Sequence, residues 1–251
     1  MRFPARLALI VAAMLSGAAG GQALAQDFSG IAGQYMDFGA SAMAVGQLNN
    51  VLGSMVQGGG NGDRLAGGGS VASGSRQTVD TRYRASPVVS TRVRGQFADF
   101  VAKADPANAD RLRQTVQQKD LLGLWEKHVS VDGLRRGDVA DAMTAYWVQN
   151  WQIANNVPFA NRGQVQAVRG QIFRMLGADP AFARLDDAGK QEVAEVFMLN
   201  FVAQGSAFSD ATTKGEKGLS NRLSEAAVAR FRNALHVDPR QLKLTQAGFA
   251  R

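Results

Sequence analysis

The run Asp138-Val-Ala-Asp-Ala-Met-Thr-Ala-Tyr-Trp-Val-Gln-Asn-Trp-Gln-Ile-Ala-Asn155 decides the fold class. Wound as a helix, its apolar residues Val139, Ala142, Met143, Tyr146, Trp147, Ile153 and Ala154 cover well over half of the circumference. Asp141, Thr144, Val148, Gln152 and Asn155 trace the remaining, mostly polar side. A helix apolar over so much of its surface has to be surrounded, so the spacing predicts the central helix of a bundle. Asp138, directly after Gly137, supplies the N-cap, and Val157-Pro158 supplies the stop.

Helical spacing continues on both sides. Upstream, Ser86-Pro87 opens a first helix whose face is Val89, Val93, Phe97, Phe100 and Val101. Asp105-Pro106 closes it and starts a second helix through Leu112 and Val116, and a third from Asp120 to Val129 carries Leu121, Leu124 and Trp125. Downstream, a fifth helix runs from Gly163 to Leu176 with Val165, Val168, Ile172, Phe173 and Leu176 on one face and Gly177 as its stop. Asp186 or Asp187 caps a long sixth helix through Val193, Val196, Phe197, Phe201 and Phe208, and a seventh spans about Ser220 to Leu235 with Leu223, Ala227, Val228 and Phe231. After Asp238-Pro239, residues Leu242, Leu244 and Phe249 suit an extended strap over the bundle, with Gly248 permitting a turn and a short strand pair. No long period-two run of β-branched residues occurs, so the expected fold is all-α, an irregular or orthogonal bundle of about six to seven helices.

The segments ahead of the bundle read differently. Arg2 and Arg6, the apolar run from Leu7 to Ala19 and the small residues of Ala23-Leu24-Ala25 have the order of a cleaved signal peptide over residues 1–25, which predicts a periplasmic or secreted protein. In residues 26–57, Ile31, Tyr35, Phe38, Ala42, Val45, Leu48, Leu52 and Met55 form an amphipathic stripe, while Gly39, Gly46 and Gly53 line a second face. Such a helix needs a partner surface, because each glycine costs up to about 1 kcal/mol relative to alanine. Packing on the domain, self-association and peripheral membrane contact through residues 28–56 all remain open. Residues 58–80, rich in Gly and Ser, read as a flexible linker, and residues 81–251 as the helical domain.

Composition narrows the chemistry. With no Cys in 251 residues there are no disulfides, thiolate nucleophiles, Cys-based zinc sites or iron–sulfur clusters. Residues 1–25 carry +2 and residues 26–80 carry −2, so the formal +7 of the chain rests on residues 81–251. Outside the cytoplasm this charge suits an anionic envelope component, such as lipid headgroups or acidic polysaccharide, or an acidic protein. Arg82, Arg84, Arg92 and Arg94 cluster around Tyr83, but aromatic residues are too sparse there for a nucleic-acid platform, and no nucleic-acid partner is expected. Arg84 and Arg92 are therefore read as a partner surface.

Acid–base and metal chemistry have few supports. His128 and His236 are the only imidazoles, both at helix ends, and His128 beside Ser130, Asp132 and Asp138 is the one candidate catalytic residue. No Gly-x-Ser-x-Gly elbow accompanies it. Glu192 and Glu195 lie three apart, but the Glu-x-x-His pairs of di-metal bundles are missing, so neither a metal nor a cofactor is read. Asn150 and Asn200 fall among apolar neighbours, and a buried amide left unpaired costs about 1–3 kcal/mol. Each must then bond to the other, to backbone or to an ordered water. Architecture is one reading of these amides; the other makes Asn150, Asn200, Tyr146, Trp147 and Trp151 the floor of a ligand pocket.

The run Gly133-Leu-Arg-Arg-Gly-Asp-Val-Ala-Asp-Ala-Met-Thr-Ala-Tyr-Trp-Val148 and the ending Asp238-Pro-Arg-Gln-Leu-Lys-Leu-Thr-Gln-Ala-Gly-Phe249 resemble an uncharacterised bacterial family, the domain-of-unknown-function family 6683. The resemblance implies a signal peptide, a low-complexity lead-in and a helical domain, and implies no activity, cofactor or catalytic residue. The expectation is an exported, non-enzymatic binding or interaction module; the alternative is a small envelope hydrolase working through carboxylates.

Overall fold

The structure, a computed structural model, describes residues 80–157 and 160–251 together with Phe28 and Phe38. The expected signal peptide, most of the expected amphipathic segment and linker, and the stop at Pro158 lie outside the described residues. What is described is an all-α bundle with one small hairpin. Helix α1 spans Pro87–Ala104, α2 Ala109–Gln118, α3 Leu121–Val129, α4 Val139–Asn155, α5 Arg162–Ala178, α6 Pro180–Ala183, α7 Asp187–Thr213 and α8 Lys217–Leu235. Single 3-10 turns cover Pro106–Asn108, Ser130–Asp132 and Pro239–Gln241, and strands β1 (Lys243–Thr245) and β2 (Gly248–Ala250) pair antiparallel with Leu244 opposite Phe249.

Helix α4 is the centre, packed by α5, α7 and α8. Only Gln149, Trp151, Gln152 and Asn155 escape full burial along it. Its start is fixed twice over. The Asp138 carboxylate accepts from the Ala140 amide, and the lead-in chain pairs beside it, with Tyr83 N–H donating to the Gly137 carbonyl and Val139 N–H to the Thr81 carbonyl. Helix α7, 27 residues long, reaches α1, α3, α4 and α8 and is capped by Asp186.

Two expectations require correction. Gly177 does not stop α5, which continues to Ala178. The stop comes from Asp179, held extended ahead of Pro180 by the steric demand of the proline ring, and its side chain then caps the single turn α6, which buries Phe182. Phe173 does not face the core either; it is 39% exposed, one position round from the buried Ile172.

The C-terminal strap is held largely by amide side chains. Gln171 donates to the Phe249 carbonyl (3.0 Å) and accepts from the Phe249 amide (2.9 Å). Gln164 donates to Leu244 O, Asn155 to Pro239 O and the Trp151 indole to Leu242 O. Gly248 sits at φ +100°, where a Cβ would also strike Gln171.

Candidate functional site

Four side-chain clusters hold most of the buried amide and carboxylate groups among the described residues. On α4, Asn150 is fully buried; its amide nitrogen donates to Tyr146 O (2.9 Å) and Gln204 Oε1 (3.1 Å), and its oxygen accepts from Arg230 Nε (2.7 Å). Around this network the rings form a ladder. Tyr146 meets Trp147 and Phe197, Trp147 meets Phe231 edge-on at 4.9 Å, and Phe249 closes against Phe231 and the half-buried Trp151. Tyr146 and Trp147 are each 1% exposed. Tyr146, Trp147 and Asn150 are thus brought together, inside the core.

Asn200 is elsewhere. From the middle of α7 its amide donates to Val196 O (3.0 Å) and to the Phe38 carbonyl (2.7 Å), while its oxygen accepts from the Phe38 amide (3.1 Å), a partner 162 positions away in sequence. Phe38 packs its ring on Phe97 (5.2 Å) and Phe100 (5.5 Å), and Phe28, with no exposed surface, lies 6.2 Å from Phe97. The two asparagines use different partners, and Asn200 takes the backbone option. Phe28 falls outside the apolar stripe read from Ile31 onward, although it lies one helical step before it.

The third cluster joins α4 to α5. Arg169 bonds Asp138 at 2.9 Å and also pairs with Asp141, and the two carboxylates are almost wholly buried. Arg135 N–H donates to the second oxygen of Asp141. Burial pushes the Asp141 carboxyl above its ordinary range despite the neighbouring guanidinium. The fourth cluster joins α1 to α7. Gln191 accepts from Ser86 N–H and donates to Ser86 O, and the buried Glu195 accepts from Ser90 Oγ (2.6 Å) and from Gln191. Burial, then the nearby Glu195 charge, raises the Tyr83 hydroxyl well above its usual pKa.

Glu192 and Glu195 therefore serve separate partners, since Glu192 takes Arg92 at 2.6 Å. That exposed pair sits beside a shallow groove lined by Pro87, Val88, Thr91 and Arg92, and Arg84 is exposed on the lead-in chain. Among the described residues no group of three or more His, Asp or Glu is placed to hold a metal, and no helix is long and apolar enough to cross a membrane. Arg169, Gln191 and Arg230 carry three of these clusters and Gln171 holds the C-terminal strap, and none of the four was singled out by the sequence. Arg230 alone leaves a trace there, standing on the apolar face of α8 with Ala226, Ala227 and Phe231.

His128 is half-buried with its ring edge-on to Phe201, 6.3 Å away. Burial, helped by Lys127, lowers its pKa below the ordinary 6.5. The folded chain thus holds fewer protons than the unfolded one, so the stability due to this group is complete above pH 6.5 and falls as pH drops through that value. Urea midpoints measured from pH 7.5 to 5 should fall less steeply for His128→Gln than for the parent chain; parallel curves would exclude His128 as the source.

The model of the family described as "Family of unknown function (DUF6683)" matches residues 4–250. No curated protein and no solved structure matches the chain.

Proposed function

The chain belongs to the DUF6683 family, and we propose that it is an exported, non-enzymatic interaction module of the cell envelope. The observation that carries this reading is the grip of Asn200 on Phe38. A buried amide in the middle of the longest helix holds the backbone of a remote peptide segment, and two phenylalanine rings flank it. This is binding chemistry, built from main-chain hydrogen bonds and apolar side-chain seats. The other buried polar groups described above bind one another or the backbone, which is the work of architecture. Export is supported by the basic opening, apolar run and Ala-Leu-Ala ending of residues 1–25. The excess positive charge on residues 81–251 favours an anionic partner and predicts salt-sensitive association.

Affinity capture from envelope extract with residues 26–251, at low and at high salt, tests the reading. The expected result is a discrete partner retained at low salt and reduced at high salt. Absence of any partner at either salt, with the full chain recovered uncleaved in the cytosol, would reject it.

A further inference from the structure

Among the described residues three side chains clamp a backbone unit at both its N–H and its C=O: Gln191 on Ser86, Gln171 on Phe249 and Asn200 on Phe38. The first two hold chain continuous with the bundle. Ser86 is one residue ahead of α1, and Phe249 lies within the hairpin packed on α5. The third is different, because about forty residues, including the glycine-rich stretch 58–75, separate Phe38 from the first turn of pairing at Thr81.

Because Phe28 and Phe38 belong to the same chain as the slot, they compete with any peptide in trans at an effective concentration on the order of millimolar. The clamp itself reads only main chain, which every peptide has, so selectivity falls to the seats around it, Phe97 and Phe100 for the Phe38 ring and Phe97 for Phe28. Taking Phe28 and Phe38 away would uncover the Phe97 ring and leave Asn200, 1% exposed with Phe38 in place, without the two bonds it makes outside its own helix.

We propose that the Asn200, Phe97 and Phe100 slot is a peptide-acceptor site, occupied by the chain's own Phe28 and Phe38 and open in trans to a peptide with the same two-phenylalanine pattern. This rests on the interaction-module reading and names the class of partner. The resident Phe28 and Phe38 act as a competitor in cis, which a partner peptide has to displace.

The test uses a fluorescent synthetic peptide of residues 26–40, Gln-Asp-Phe-Ser-Gly-Ile-Ala-Gly-Gln-Tyr-Met-Asp-Phe-Gly-Ala, with the full chain and its Phe28→Ser/Phe38→Ser variant, both checked for folding by circular dichroism. Binding to the variant should be roughly tenfold tighter than to the parent chain, because the cis competitor is disabled. A peptide N-methylated at the Phe38 nitrogen cannot donate to Asn200 Oδ1 and should bind at least about tenfold more weakly than the unmodified peptide. This second comparison leaves the protein untouched and so is independent of any folding defect. Equal binding of the two peptides, equal binding to parent and variant, or no binding to a folded variant would each overturn the slot. A partner captured from envelope extract while the peptide fails would retain the module and move its surface elsewhere; no captured partner, with the full chain uncleaved in the cytosol, would remove the module itself.

Discussion

Replacing Arg169 by Met is expected to cost about 3–5 kcal/mol of folding stability at neutral pH, the range for breaking a buried ion pair from one side. The guanidinium is the cation bonded to both Asp138 and Asp141, whose side chains are 4% and 1% exposed. Without it two buried carboxylates that repel each other keep the backbone donors of Ala140 and Arg135 but lose this cation, at the point where the lead-in chain, the first turn of α4 and the side of α5 meet. Asp141 already ionises reluctantly through burial, and loss of the cation drives it further that way. The deficit should therefore shrink on acidification, as Asp141 takes up a proton and its repulsion with the neighbouring carboxylate disappears. Urea unfolding of R169M between pH 7 and pH 4 reads this directly. A deficit that stays constant over that interval would show that Arg169 acts through packing and that the charges are incidental.

Asn150→Leu is the second large effect, expected at about 3 kcal/mol. Leucine fills a similar volume but offers no acceptor to Arg230 Nε and no donor to Gln204, both buried. The loss comes from what the change leaves behind more than from what it removes. Adding Arg230→Met should then cost less in the Asn150→Leu background than in the parent chain, since the Asn150–Arg230 bond is already gone. Equilibrium urea unfolding of the two single variants and the double variant forms the cycle. Additive losses would mean that Asn150 and Arg230 do not act as a unit. The same variants distinguish architecture from a pocket at Tyr146 and Trp147, because a pocket lining can be replaced while folding is kept.

Much of the helical order is written locally. Asp138 and Asp186 were readable as caps because a short carboxylate beside an apolar periodic run has one evident use, and each accepts a backbone N–H from the first turn of its helix; Asp120, read as the first residue of its helix, turns out to cap it in the same way. Gly177 misled for an equally local reason: a glycine ends a helix when a left-handed residue is required, and here the Asp179-Pro180 pair performs the termination. The clamps were not readable. Gln191 reaches Ser86 across 105 positions and Asn200 reaches Phe38 across 162, distances over which only the assembled bundle decides who meets whom. Periodicity marks that Asn200 is enclosed; it carries no information on which backbone lies opposite. Arg169 was hidden similarly, since an arginine flanking Val168 and Ile172 looks like any solvent-facing residue until two aspartates from another helix arrive beside it.

The enclosure of α4 has a consequence for how divergence among relatives should be interpreted. One of the two runs through which the chain resembles its family, residues 133–148, leads into α4, the helix most surrounded by others among the described residues. Substitutions along it are filtered by volume and hydrogen bonding whatever the protein binds, so invariance at Trp147 or Asn150 across species would record the demands of folding. Selection for a partner would leave its imprint on residues the fold itself does not constrain, among them Val88, 77% exposed beside the Arg92 groove, and Val131, 62% exposed after α3. A slow rate of change at those two sites would carry more functional information than an unchanging core helix.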